Sequence, residues 1–420
     1  MASRSKLDER LSALLSARKN KGRFRSLKEY DTSSASHLTD FSSNDYLSLT
    51  TDPGLRESYL SRLSNSEIVL GSTGSRLLSG GTCAHASLES RLTEHFSSSA
   101  LLFNSGWDAN VSLFSNVPQP GDIVVYDELI HASVHDGMRA SRLPPASRRK
   151  FAHNDPASLA ALLQSLNIKG ETVFLALESL YSMDGDFAPL PALLDVFDAH
   201  VPRHQQCVVV DEAHTTGTYG PGGRGIVHSL SEDRVTIRLM TFGKGVGASG
   251  AVLLCSETVR SFLINFARPF IFSTAMPLSS VLALEAVWSL LASPEGDEKR
   301  ADLARVIASL HAHLAPLLAR TSPALLRLPD PTPVPFSGAV GLEPSPPAPI
   351  VGLLTPTPHA LSAFLLERGF IVRPVVPPTV PAGGERVRIC LRAGISEARV
   401  AELVGAIGEW VERQHEKARL

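Results

Sequence analysis

The sequence is short of several things, and each shortage removes a class of function. Only four cysteines occur in 420 residues, Cys83, Cys207, Cys255 and Cys390, far apart and without a CxxC pair. That spacing argues against a disulfide framework or a cysteine-held zinc site and suits a reducing compartment. The formal charge is −2, from 40 basic and 42 acidic side chains, so neither nucleic acid nor an anionic membrane has an electrostatic claim as partner. No apolar run approaches the roughly 18 residues that a membrane span requires. The first ten residues, Met1 to Arg10, lack the apolar core of a secretory signal, and their acidic residues do not suit a mitochondrial presequence. A GxxxxGK[ST] loop is also missing, which removes the nucleotide-hydrolase reading of Asp211-Glu-Ala-His214.

What remains is an ordinary globular composition, 43% apolar and 20% charged, with length for two or three domains. Leu7, Leu11, Leu14 and Leu15 share one face of an expected helix over 6–19. Short apolar runs then alternate with helical stretches: 100–103, 123–126, 173–177, 208–210, 239–242 and 251–255 as strands, with 85–97, 130–139, 156–166 and 190–200 as helices. Continuous apolar strands separated by helices predict an α/β domain with a mainly parallel, buried sheet. Long helices are expected over 277–291 and 298–318, a strand over 387–391 and a closing helix over 396–417. The division that follows is an N-terminal helix and arm (1–50), a large α/β domain (51–290) and a small C-terminal domain (291–420). Nine prolines within 322–349 mark an irregular insertion in the last of these.

Polar residues follow the strand ends repeatedly, and ligands of open α/β sheets bind beyond the carboxyl ends of strands. Asn104-Ser105-Gly106, Asp127 with His131, Glu178 to Asp184, Asp211 with His214, and Lys244 each occupy such a place. Asp211 ends an apolar run, where a carboxylate suits a protonated pyridine nitrogen. His214 lies three residues on, within reach of the same ring. Lys244 sits among Gly243, Gly245 and Gly247, whose missing side chains let backbone approach a cofactor. A lysine, a carboxylate and an imidazole in these positions are the groups that hold pyridoxal phosphate (PLP) and tune its ring. Ser105, Gly106 and Trp107 open a helix whose N-terminus can take a phosphate, and His131 can stack on the ring. His131 and His135 also form an i, i+4 pair, but no further cluster supports a metal site.

These residues carry a resemblance that spans most of the chain. Phe41-Ser-Ser-Asn-Asp-Tyr-Leu47, Gly71-Ser-Thr-Gly-Ser-Arg-Leu-Leu-Ser-Gly80 and Phe103-Asn-Ser-Gly-Trp-Asp-Ala-Asn110 belong to it. So do His131-Ala-Ser133, Ser182-Met-Asp-Gly-Asp186, Asp211-Glu-Ala-His-Thr215, Thr241-Phe-Gly-Lys244 and Phe272-Ser-Thr-Ala-Met-Pro277. The chain resembles the α-oxoamine synthases, PLP enzymes that condense an amino acid with an acyl thioester and release CO₂. The resemblance implies a fold-type I, aspartate-aminotransferase-like architecture: α/β, with a mainly parallel central sheet and a smaller α+β C-terminal domain. It implies Lys244 as the residue joined to PLP, Asp211 on the pyridine nitrogen, His214 and Ser182 at the ring substituents and His131 stacked on the ring. Ser105, Gly106, Trp107 and Thr241 are then expected at the phosphate, with Ser273 and Thr274 supplied by a second copy in a homodimer.

The run Pro377-Pro-Thr-Val-Pro381, with Arg373 before it and Arg388 after, extends the resemblance, which implies L-alanine and a pimeloyl thioester as substrates, with a glycine-using or serine palmitoyltransferase-like member of the family, or an inactive partner subunit, as alternatives. By the same resemblance Arg388 takes the alanine carboxylate, Asn44 and Thr379 line the substrate site, and Arg25 meets the distal carboxylate. Trp107 stands where the family usually has tyrosine or phenylalanine, a change its backbone role tolerates, and Val375-Val376 precedes the Pro-Pro-Thr run where a tighter Arg-Pro-Pro is common, so a reshaped acyl pocket is expected. Ala418-Arg419-Leu420 has the small–basic–leucine form of a peroxisomal address. The peroxisome is therefore the expected location, with the cytoplasm as alternative.

Overall fold

The computed structural model describes residues 5–31, 37–68, 70–230, 232–329 and 348–419. Seven strands build the central sheet: β1 (Ser99–Phe103), β2 (Ile123–Asp127), β3 (Arg148–Phe151), β4 (Val173–Glu178), β5 (Gln206–Asp211), β6 (Ile237–Thr241) and β7 (Ala251–Cys255). Their order in space is β1-β7-β6-β5-β4-β2-β3. Strands β2 to β6 are parallel to one another, whereas β7 is antiparallel to both β1 and β6. Two reversals leave β1 pointing the same way as β2 to β6, so six carboxyl ends share one edge. The reversal follows from length: residues 242–250 are too few for the crossover that a parallel partner of β6 needs.

Side chains alternate between the sheet's faces. Val173, Leu175 and Leu177 of β4 enter one apolar cluster, while Phe174 and Ala176 enter another. In β5, Val208 and Val210 likewise oppose Cys207 and Val209. A strand covered on both faces must be apolar at every position, which is why these strands appear as unbroken runs. Helices Pro156–Ser165 and Leu190–His200 cover one face; Gly106–Asn116, Ala132–Ala140 and Glu257–Phe266 cover the other.

The C-terminal part holds an antiparallel sheet of β8 (Ile350–Leu354), β9 (Arg373–Val375) and β10 (Arg386–Cys390), in the order β9-β10-β8. Leu403, Ile407 and Trp410 of helix Glu397–Arg419 pack in one cluster with Leu310 and Leu314 of helix Pro294–Ala319. The α/β class, the mainly parallel sheet and the smaller α+β C-terminal part agree with the sequence reading.

Differences are local. Strand β3 was not expected, because Arg148-Arg-Lys-Phe151 has no apolar run; its cations suit the sheet edge it occupies. The long helix begins at Pro294, four residues ahead of the expected start, with Pro at its first position. Residues 330–347 of the proline-rich insertion lie outside the described residues. Helix Lys6–Asn20 forms, yet Leu7, Leu11, Leu14 and Leu15 are between 47% and 67% exposed, so the helix packs no apolar face against the described residues.

One turn joins the two parts. Gly185, at φ 73°, donates its N–H to the Tyr181 carbonyl at 3.0 Å in the connection after β4. A Cβ there would collide with the carbonyl of Ile350, the first residue of β8. Gly185→Ala therefore combines left-handed strain, about 1–2 kcal/mol, with a backbone clash. The variant is expected to melt at least roughly 3 °C below the wild type; calorimetry finding the two within about 1 °C would contradict this account of the turn.

Candidate active site

The shared sheet edge gathers the residues that the strand ends carry. Thr241 closes β6, and the hairpin to β7 then places Lys244 above the sheet: Ala248 N–H donates to the Phe242 carbonyl at 2.8 Å and Phe242 N–H to Gly250 at 2.9 Å. Lys244 Nζ lies 2.9 Å from His214 Nε2, and His214 Nδ1 lies 2.6 Å from the Tyr46 hydroxyl. Tyr46 donates to Asn44 Oδ1 at 3.1 Å, and Arg388 Nη2 donates to the same oxygen at 2.9 Å. Four segments far apart in sequence thus form one chain of polar contacts. His214 is 3% exposed, and burial, followed by the charges of Lys244 and Arg388, holds its pKa well below the usual value. A neutral His214 with its proton on Nδ1 fits every member of the chain: Lys244 donates to Nε2, and Nδ1–H to Tyr46.

Asp211, at the end of β5, is 6% exposed. Its Oδ1 accepts Ala213 N–H and its Oδ2 accepts Asn110 Nδ2, both at 2.9 Å, which leaves acceptor capacity on each oxygen for a further donor. Asn110 Nδ2 also donates to Ser133 Oγ at 2.9 Å, and that hydroxyl lies 2.7 Å from His131 Nδ1. Nδ1 of His131 accepts Ser133 N–H at 3.3 Å as the cap of helix Ala132–Ala140. Burial lowers the His131 pKa, Asp211 opposes the shift and Lys244 reinforces it.

Lys244 shows which effect wins. Burial of its amine lowers the pKa, Asp211 and Glu178 raise it, Arg388 lowers it, and the net direction is down. Among the described residues no carboxylate touches Nζ, so desolvation dominates over charges felt at a distance. Glu178, buried at the end of β4, moves the other way: burial first, then Asp211, raises its pKa well above the usual range, while the His131 backbone N–H bonds to it. A neutral Glu178 spares the edge a second full negative charge beside Asp211.

The opposite flank suits a phosphate. Ser105 caps helix Gly106–Asn116, accepting Asp108 N–H at 3.0 Å. A Cβ on Gly106 would stand 3.2 Å from Thr241 Oγ1, so helix N-terminus and hydroxyl lie against each other. Trp107, 45% exposed, meets the His131 ring edge-on at 5.9 Å. Helix N-terminus and hydroxyl at one end, carboxylate and weakly basic amine at the other, and a histidine ring between them fit a phosphorylated pyridine aldehyde.

Other candidates are placed less centrally. Ser182 is half-buried in the turn after β4, and Thr379 is exposed, its N–H donating to Val376. Ser273 and Thr274 stand beside Asn104 of the same chain, whose Nδ2 donates to the Thr274 carbonyl at 2.8 Å. Arg25 is exposed and has no ion-pair partner among the described residues. Tyr46, Asn110, Ser133 and Glu178 were not singled out as site residues. Tyr46 stands two positions after Asn44 and Glu178 ends an apolar strand; Asn110 lies within helix Gly106–Asn116 and Ser133 in the first turn of helix Ala132–Ala140, and each also belongs to one of the motifs that carry the resemblance.

Residues 36–407 match the family model described as aminotransferase class I and II. The chain is 40% identical over 397 residues to the 8-amino-7-oxononanoate synthase of Emericella nidulans, covering 92% of each. It is 36% identical over 384 residues to that of Ralstonia pickettii, covering 88% of this chain and 86% of the relative. Among solved structures, Sphingomonas wittichii serine palmitoyltransferase superposes with a TM-score of 0.80 at 25% identity, covering 98% of both chains. The chain belongs to the aminotransferase class I and II family and is a PLP-dependent enzyme. Within that family it is an acyltransferase of the α-oxoamine synthase group, similar to the 8-amino-7-oxononanoate synthases.

The Lys244 environment yields a measurable consequence. Asp211 is the charge that most raises the Lys244 pKa, so Asp211→Asn lowers it further. In cofactor-depleted protein, the pH at which Lys244 becomes reactive toward an acylating reagent, read by peptide mass spectrometry, is expected to fall in the variant. A midpoint that stays or rises contradicts the electrostatic assignment.

Proposed function

We propose that the chain condenses L-alanine with a pimeloyl thioester, releasing CO₂ and the free thiol, to give 8-amino-7-oxononanoate for biotin biosynthesis. The observation that carries this reading is the contact chain Lys244–His214–Tyr46–Asn44–Arg388, which links the amine that would hold the cofactor to a buried guanidinium. Arg388 Nε is buried without a partner, leaving a donor for a small carboxylate such as that of alanine. The named relatives and the Pro377-Pro-Thr-Val-Pro381 run support alanine and pimeloyl as the substrates.

PLP, when bound, supplies a ring that withdraws electrons from the carbon next to the substrate nitrogen. Asp211 would keep the ring nitrogen protonated, His131 would stack on the ring, and His214 with Ser182 would contact its substituents. Ser105, Gly106, Trp107 and Thr241 hold the phosphate. Lys244, with its amine depressed in pKa, removes and returns the proton at the alanine Cα. Arg388 and Asn44 fix the alanine carboxylate so that this proton faces Lys244. Thr379 lines the acyl site and Arg25 meets the distal carboxylate. Ser273 and Thr274 reach the phosphate of a second copy, which makes the working form a homodimer.

Purified protein is to be incubated with alanine, glycine or serine, each with pimeloyl-CoA, acetyl-CoA or palmitoyl-CoA, while CoA release is followed. The expected outcome is turnover on alanine with pimeloyl-CoA well above every other pairing, and loss of that turnover in Lys244→Ala. Equal rates with glycine and acetyl-CoA, or serine and palmitoyl-CoA leading, would place the chain elsewhere in its group.

Ala418-Arg419-Leu420, read as a carboxyl-terminal address, assigns the enzyme to the peroxisome. Leu420 itself lies outside the described residues. A fluorescent protein fused ahead of the full chain is expected in peroxisomes, and in the cytoplasm once the three residues are removed. Import that survives their removal would overturn the assignment.

A further inference from the structure

A second polar cluster lies on the same sheet edge, and the chemistry above does not use it. His153, just beyond β3, places Nδ1 2.8 Å from Asp127 Oδ1 and Nε2 2.9 Å from Asp186 Oδ2. A neutral imidazole has one N–H, so it would set a lone pair against one of the two carboxylates; only the imidazolium donates to both. Its ring also meets the Tyr181 ring edge-on at 4.5 Å. Asn154, at φ 50°, completes the join: its N–H donates to Asp127 Oδ2 and its Nδ2 to Asp186 Oδ2, each at 2.8 Å.

The two carboxylates belong to different loops. Asp127 ends β2, and its Oδ1 accepts Leu129 N–H at 2.9 Å, shaping the loop that ends in His131. Asp186 lies in the turn after β4, where its carbonyl accepts Tyr181 N–H at 2.9 Å around Ser182. The far side of that turn is fastened to β10: Arg386 pairs with Asp184 and donates to the Met183 carbonyl at 3.0 Å. His153 therefore stands between the loop carrying the ring-stacking residue and the turn carrying a ring contact.

We propose that His153 is a positioning residue: as an imidazolium shared by Asp127 and Asp186, it fixes the spacing between the His131 loop and the Ser182 turn, and so the slot that receives the PLP ring. This rests on the reading that the ring lies against His131. Without the bridge the cation between the two carboxylates is lost, while Asn154 still joins Asp127 to Asp186.

The cluster also carries a pH signature. Burial alone would depress His153, but Asp127 and Asp186 outweigh it and push the pKa up to about 10. The groups facing it are those two carboxylates, Tyr181, and Glu128, whose Oε1 accepts His153 N–H at 3.4 Å and which pairs with Lys150. A folded pKa above the unfolded value of about 6.5 means that the stabilisation is complete below pH 6.5 and fades as pH rises through 10.

The experiment compares holoenzyme of the wild type, His153→Gln and Asp186→Asn. The rate of PLP loss during dialysis is expected to rise about tenfold in His153→Gln, the size of one lost charge-assisted hydrogen bond, and less in Asp186→Asn. Turnover should fall while KM for the acyl thioester holds. The Tm gap between wild type and His153→Gln should be constant below about pH 6.5 and shrink toward pH 10. PLP retention at the wild-type rate in both variants, or a Tm gap that ignores pH, overturns the proposal; if His153→Gln does not fold, PLP retention in Asp186→Asn decides alone. PLP loss and Tm need no substrate, so a failed alanine–pimeloyl assay leaves this result standing.

Discussion

The amine of Lys244 is taken out of water at the end of β6, and the rest of the site is arranged around that cost. Two buried acids stand near it, yet neither touches it, so desolvation rather than pairing governs its basicity. Moving Asp211 into contact would stabilise the ammonium and leave the lysine too basic to act as a base at neutral pH. The neighbours follow from this. Glu178 is driven toward its neutral form, His214 carries no charge, and Tyr46 passes the remaining hydrogen-bonding demand to Asn44 and Arg388.

His153 is the contrasting case on the same edge. It is also removed from water, but both ring nitrogens meet carboxylates, and the balance reverses in favour of the cation. Two nitrogen bases on one sheet edge thus shift in opposite directions, and contact with a carboxylate is what separates them. One remains able to exchange a proton; the other is a fixed charge.

Legibility in the sequence followed the same physics. Strands buried on both faces had to be apolar throughout, so β1, β2, β4, β5, β6 and β7 stood out as runs. Strand β3 did not, since an edge strand such as Arg148–Phe151 is free to carry charge. Asp211, His214 and Lys244 were readable because each follows a strand directly. Asn110 was not, because nothing local shows that a side chain within a helix reaches across to Asp211 and to Ser133. Residues such as Arg25 and Thr379 entered through resemblance alone, and the chain holds both on its surface. The exposed leucines of Lys6–Asn20 show the remaining limit: periodicity shows that an apolar face exists, not what it meets.

Strand β10 carries Arg386 and Arg388 two positions apart, one pairing with Asp184 in the turn after β4, the other bonded to Asn44 ahead of the large sheet. A single rigid strand therefore latches the two parts of the chain at two points. Displacing the C-terminal sheet from that edge breaks both contacts, because one hydrogen-bonded strand carries them. On the reading proposed above, a carboxylate bound at Arg388 would add to the hold on that same strand, so the substrate contact and the joint between the two parts would share one element.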